Sequence, residues 1–217
     1  CGTDYDYEIT ANYGYHIDHV VLDGVTTNYA GQQTTATVTV TDIHENHQLD
    51  VYFALNHYTV TATAGAHGSI EVAGVTTVAH GDEITYTITP DHCYYISEVL
   101  VNGEAVEFTT GDSTGATYPF ASVEDTMTIH ANFDIYVYEM TADYDATMGT
   151  VEEGQANCGT NFTYNVHANE GYHIVSIQVG SMIHNHYGWN IDTVATFNVY
   201  NVSQDTVCHV EFAPNTY

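Results

Sequence analysis

The stretch ANYGYHIDHVVL at residues 11–22 returns as PDHCYYISEVLV at 90–101 and as ANEGYHIVSIQV at 168–179, spacings of 79 and then 78. A segment that recurs at near-constant spacing is architecture, because catalysis needs its residues once while a fold uses them in every unit. Written in register, YDYEIT (5–10), ITYTIT (84–89) and FTYNVH (162–167) coincide. Each alternates apolar and polar residues, the period of a half-buried strand. Tyr5, Tyr7 and Ile9, then Ile84, Tyr86 and Ile88, then Phe162, Tyr164 and Val166 are predicted to face inward. Further on, VVLDGV (20–25) and VLVNGEAV (99–106) carry the Asp-Gly and Asn-Gly of two-residue hairpins, and VGSMI is the weaker third version. Every copy closes on a strand ending in Phe: LDVYFA (49–54), IHANFD (129–134) and CHVEFA (208–213).

These landmarks divide the chain into β repeats at 1–57, 58–137 and 138–217. The first is short and lacks the opening strand, the Gly-containing turn and the strand after it. The chain thus reads as beginning in mid-domain. Two expectations follow: a window on a longer array, or a unit whose missing strands come from a neighbouring molecule by strand complementation. Short strands without helical periodicity predict an all-β fold of tandem small β-sandwich, immunoglobulin-like repeats, with β-grasp-like repeats as the alternative.

Composition narrows the function. The chain has no Lys and no Arg against 28 Asp and Glu, a formal charge of -28, where ordinary usage puts roughly a tenth of residues in those two basic types. Nucleic-acid binding relies on basic side chains that neutralise phosphates, and anionic membranes attract the same groups, so neither partner fits. Schiff-base lysines, P-loop lysines, Arg clamps and Lys-Asn isopeptide crosslinks are impossible for the same reason. No apolar run is long enough for membrane insertion. The sequence has no G-x-S-x-G, H-E-x-x-H or Gly-rich phosphate loop, and it reads as non-enzymatic. Trypsin-like proteases cut after Lys or Arg and find no site, which predicts protease resistance of that kind.

Written as YTVTATAGAHGSIEVAGVTTVAHGDEITYTITPDHCYYISEVLVNGEAV…TIHANF, the repeat resembles the divergent internalin-B-type (Listeria–Bacteroides) repeats found in tandem in large secreted bacterial surface proteins. The resemblance rests on the opening Y-T-V-T-A with its following Gly, the D/N-Gly hairpin and the closing aromatic strand. It also rests on the pairs Tyr15 and Ile17, Tyr94 and Ile96, and Tyr172 and Ile174. The family's Gly-Trp pair after the aromatic segment is missing, since Gly188 and Trp189 stand elsewhere. The resemblance implies extracellular, cell-surface work as a fibre, stalk or adhesin shaft. The partner would be the chain itself, assembled head to tail or by strand complementation.

Four cysteines without C-x-x-C spacing, Cys1, Cys93, Cys158 and Cys208, point to disulfides in an oxidising compartment. Cys158 and Cys208 share parity with inward residues of one repeat and are expected to pair. Cys1 and Cys93 are left to join adjacent units or other chains. No cofactor is required. His184 and His186 would put two imidazoles on one strand face, half a site for a transition metal. They lie beside Trp189, so a ligand- or metal-binding loop in the third repeat is the alternative function. Asp4, Asp6 and Glu8 form a carboxylate ladder suited to Ca²⁺. His16 and His19, three apart, are expected on opposite faces of their strand.

Overall fold

A computed structural model describes residues 2–107, 110–185 and 192–216. Among them every regular element is a strand and none is a helix, as the alternating pattern predicts. The first repeat supplies β1 (Tyr5–Thr10), β2 (Tyr15–Leu22), β3 (Val25–Asn28), β4 (Thr35–Val40) and β5 (Leu49–Leu55). The second opens with β6 (His57–Ala64), β7 (Gly68–Ile70), β8 (Gly74–Ala79), β9 (Ile84–Pro90) and β10 (Tyr94–Val101). It closes with β11 (Glu104–Val106), β12 (Thr110–Asp112), β13 (Gly115–Phe120) and β14 (Met127–Ile135). The third contains β15 (Val137–Asp143), β16 (Gly149–Val151), β17 (Gly154–Asn157), β18 (Phe162–Ala168), β19 (Tyr172–Val179), β20 (Met182–Asn185), β21 (Val194–Val199) and β22 (Thr206–Pro214).

Each repeat builds two sheets. In the second the orders are β11-β10-β14-β6-β8 and β12-β13-β9-β7; in the third, β17-β15-β22-β19-β20 and β16-β18-β21. The first has only β3-β2-β5 and β1-β4 among the described residues. The third repeat's core is fed from both sheets. Met140, Ile174, Ile177, Cys208, Val210 and Phe212 come from one; Val151, Tyr164, Val166 and Phe197 come from the other. That is a sandwich, held by the burial of two inward faces on each other. Tyr86, Ile88, Tyr164 and Val166 are buried as the alternation predicts.

Among the described registers, pairing is antiparallel except at one place in the second repeat and one in the third. The first strand runs parallel to the last: β6 beside β14, Met127 opposite Val60 to Ala131 opposite Ala64, and β15 beside β22, Met140 opposite Thr206 to Asp143 opposite His209. Two-residue hairpins join β2 to β3, β10 to β11 and β19 to β20. Their first residues include Asp23 and Asn102, with positive φ of 50° and 51°, followed by Gly24 and Gly103 at 83° and 84°. This is the primed turn that Asp-Gly and Asn-Gly favour.

Contacts gather the chain into two compact units, Cys1–Pro90 with Ile96–Phe133, and Asp91–Tyr95 with Asp134–Tyr217. The short segment 91–95, the turn after β9 with the first two residues of β10, therefore belongs by sequence to the second repeat and by packing to the unit that holds the third. His16 and His19 share one face of β2, contrary to expectation. Their partners on β5, Ala54 and Tyr52, are two apart, because a bulge at Asp18 resets the alternation.

Candidate functional site

One residue separates β5 from β6, and one separates β14 from β15. Asn56 is the first and is 6% exposed, the one buried polar residue among those described. Its N–H donates to the Gly14 carbonyl at 2.8 Å, and its carbonyl accepts the His80 N–H at 2.8 Å. Its side-chain oxygen lies 2.8 Å from His16 Nδ1, and its amide donates to the Tyr58 hydroxyl at 3.4 Å. Tyr136 is the second linker and repeats the backbone pattern. Its N–H donates to the Cys93 carbonyl at 3.0 Å, and its carbonyl accepts the Cys158 N–H at 2.8 Å. Directly after β22, the last strand of the third repeat, Asn215 again donates to the Gly171 carbonyl at 2.8 Å, with its side-chain oxygen 3.1 Å from His173 Nδ1.

Gly14, Cys93 and Gly171 are thus one structural position, a turn residue with φ of +83°, +73° and +88°. The left-handed conformation suits glycine and costs an ordinary residue about 1–2 kcal/mol. Opposite that position stand His80 at the first linker and Cys158 at the second. The His80 ring lies so close over Gly14 that a Cβ there would come within 2.3 Å of its Cδ2. Tyr13 meets the His80 ring edge-on at 4.8 Å, and Tyr58 tilts against it at 5.9 Å. The Tyr13 hydroxyl donates to Glu124 Oε2 at 2.5 Å, and Ser122 donates to its other oxygen at 3.0 Å. These two hydrogen bonds hold the Glu124 carboxyl below its ordinary range, and the first of them pushes the Tyr13 phenol up.

At the second linker the same two places are joined covalently. Cys93 and Cys158 form a disulfide with Cα atoms 5.3 Å apart. The linker residue Tyr136 tilts against Tyr95, ring centroids 5.0 Å apart, and stacks with Tyr138 at 6.2 Å. The expected Cys158–Cys208 pair does not form. Cys158 sits in the turn between β17 and β18, where strand parity no longer governs direction. Cys208 is a buried free thiol on β22, pushed up to about 11 by burial. Cys1 lies outside the described residues.

The metal candidates do not converge. Asp4 accepts the Asp42 N–H at 2.9 Å and Asp6 accepts the Thr39 hydroxyl at 2.6 Å, while Glu8 is exposed. Among the described residues no group of three or more His, Cys, Asp or Glu could hold a metal ion. His184 is exposed on β20 with its ring 4.8 Å from that of Phe197. His186 and Trp189 lie outside the described residues. What sequence reasoning missed is the linker hardware itself. Its one visible signal was that Cys93 aligns with Gly14 and Gly171, and Cys158 with His80.

Two-sheet repeats joined by clasped single-residue linkers define a tandem β-sandwich repeat protein. Residues 58–136 match the family described as the divergent InlB B-repeat domain, so the likeness read from the sequence is shown for the second repeat. No curated protein matches the chain. Among solved structures, the I9–I11 tandem of titin is 7% identical with a TM-score of 0.18, covering 96% of this chain and 92% of that one. The Bacillus anthracis TIE protein is 7% identical with a TM-score of 0.28, and the match covers 96% of this chain and 50% of that one. The sandwich assignment rests on the strand pairing and not on these two likenesses. Among the described residues no helix is long and apolar enough to cross a membrane.

Proposed function

We propose that this chain is a non-enzymatic structural protein of the cell exterior, a run of β repeats that serves as a fibre, stalk or adhesin shaft and assembles with copies of itself. The observation that carries this reading is the linker. One residue, bonded through its backbone to the repeat before and the repeat after, leaves little free chain between folded blocks, which is what a spacer needs and an independent binding domain does not.

Three other features support it. The second repeat matches a family of repeat domains. A disulfide is at home in an oxidising compartment. A chain without Lys or Arg offers trypsin-like proteases no cleavage site. The test is to label intact producing cells with an antibody against the chain and to image the natively purified material by electron microscopy. Surface label together with rods or filaments is expected. Label that appears only after cells are opened would overturn the reading.

A further inference from the structure

Resting on that reading, we infer that the repeats are built to carry tension along the chain, and that the Cys93–Cys158 disulfide takes the load across the second linker. The argument starts from the two parallel strand pairs. Chain enters the second repeat at the start of β6 and leaves at the end of β14; it enters the third at β15 and leaves at β22. Because each entering strand runs parallel to its leaving neighbour, a pull on the two ends of a repeat draws the pair in opposite senses along a common axis. The ladder bonds between them are then loaded together, in shear. An antiparallel pair pulled at one end would open one bond at a time. The leaving strands β14 and β22 are also central in their sheets, each with a partner on both sides. β5 of the first repeat has only β2 beside it among the described residues.

The disulfide adds a second path. It spans 65 residues of sequence, and the loop it closes contains both β14 and β15, the strands that meet at Tyr136. Tension reaching Cys93 passes through the sulfurs to Cys158, so residues 94–157 cannot be drawn out while the bond is intact. The position suits this role. Cys93 and Cys158 flank Tyr136, whose N–H and carbonyl are bonded to their backbones, so the staple closes where the chain passes from one repeat to the next. Cys93 takes a left-handed conformation that the other repeats give to glycine. A cysteine held in that conformation fits a site chosen for the bond and not for the turn.

The test is single-molecule stretching of the whole chain, tethered at its two ends, with the disulfide intact and then in reducing agent. Reduction is expected to add about 220 Å of extension, 65 residue steps of ~3.4 Å each. In reducing agent, where β14 and β15 rejoin the load path, the second and third repeats should also give way at clearly higher force than the first. The variant C93G/C158H, which installs the residue pair of the first linker, should show the longer extension without reductant. If that variant does not fold, reduction of the native chain still decides the matter. Equal extension with and without reductant would overturn the role of the disulfide, and all repeats opening at one low force would overturn the shear argument. Both results leave the surface-labelling test untouched, so a surface protein that bears no load remains distinguishable from a protein that is not on the surface.

Discussion

Single residues carry more of this fold than their chemistry suggests. Gly68 on β7 and Gly149 on β16 each lie beneath the ring of the closing-strand Phe. A Cβ on Gly68 would come within 2.4 Å of Phe133, and one on Gly149 within 2.3 Å of Phe212 and 2.6 Å of the His167 carbonyl. Overpacking a core typically costs about 1–3 kcal/mol, less where a side chain can swing away and more where backbone must move. Gly149→Ala should therefore destabilise its repeat more than Gly68→Ala does, and urea unfolding of the two variants reads the difference. Equal effects would show that Phe212 and β18 yield as easily as Phe133. The sequence did show the glycine of the opening motif but gave no sign that a Phe some 60 residues later sits on it. The disulfide was hidden for a similar reason. Parity predicts direction only within a strand, and Cys158 and Cys93 are both turn residues, so the inward-facing rule chose Cys208 in error.

At the scale of elements, alternation and turn chemistry gave most of the architecture. β1, β9 and β18 begin where the repeats of pattern begin, and Asp-Gly and Asn-Gly mark two of the hairpins. Bulges were not legible, since one extra residue leaves composition unchanged and merely moves the inward positions. Ile17 and Val20 are both buried at a spacing of three, as are Ile96 and Val99, and Ile174 and Ile177. The first repeat also departs from the alternation. Tyr5 and Tyr7 share the parity of buried Ile9, yet they are 57% and 42% exposed, and Phe53 is 45% exposed where its counterparts Phe133 and Phe212 are 9% and 8%. The cause is the pairing. β7 and β16 cover the equivalent ring in the later repeats, and no described strand covers Phe53. Local opening is easiest where apolar contact is sparse. Backbone amides of β1 and β5 should exchange with deuterium well before those of β9 and β14. Matching protection in both pairs would mean that the first repeat gains stability from contacts other than these strands.

For the whole molecule the governing quantity is charge, and two effects of opposite sign meet as pH falls. With 28 carboxylates and no Lys or Arg, the 14 histidines are the side chains able to become cations, and histidine is the residue type whose charge ordinarily changes in mild acid. Each proton taken up reduces self-repulsion, which in a chain of charge -28 opposes both compactness and association. Several histidines already sit beside carboxylates, His47 at 2.6 Å from Asp23, His19 at 2.7 Å from Asp18 and His209 at 3.1 Å from Asp143. Further down, the sign reverses. Hydrogen bonds hold four carboxyls below their ordinary values: Asp23 through the His47 ring and the Gln48 N–H, Asp112 through Thr114, Asp145 through Thr147, and Glu124 through Tyr13 and Ser122. A carboxyl lowered by folding contributes stability that is complete above its ordinary value, 3.8 for Asp and 4.5 for Glu. That contribution is lost as pH falls through the folded value. At the alkaline end burial raises the Cys208 thiol and the Tyr86 and Tyr164 phenols. Their contribution is complete below the ordinary values of 9.0 and 10.0 and is lost above them. The urea midpoint should therefore hold or rise from pH 7 to 5, fall below about pH 4, and fall again above about pH 9. Sedimentation should report larger species at pH 5 than at pH 7. A midpoint that declines steadily from pH 7 to 5 with unchanged sedimentation would mean that self-repulsion is not what limits this chain, and that its acidity serves only to keep it in solution.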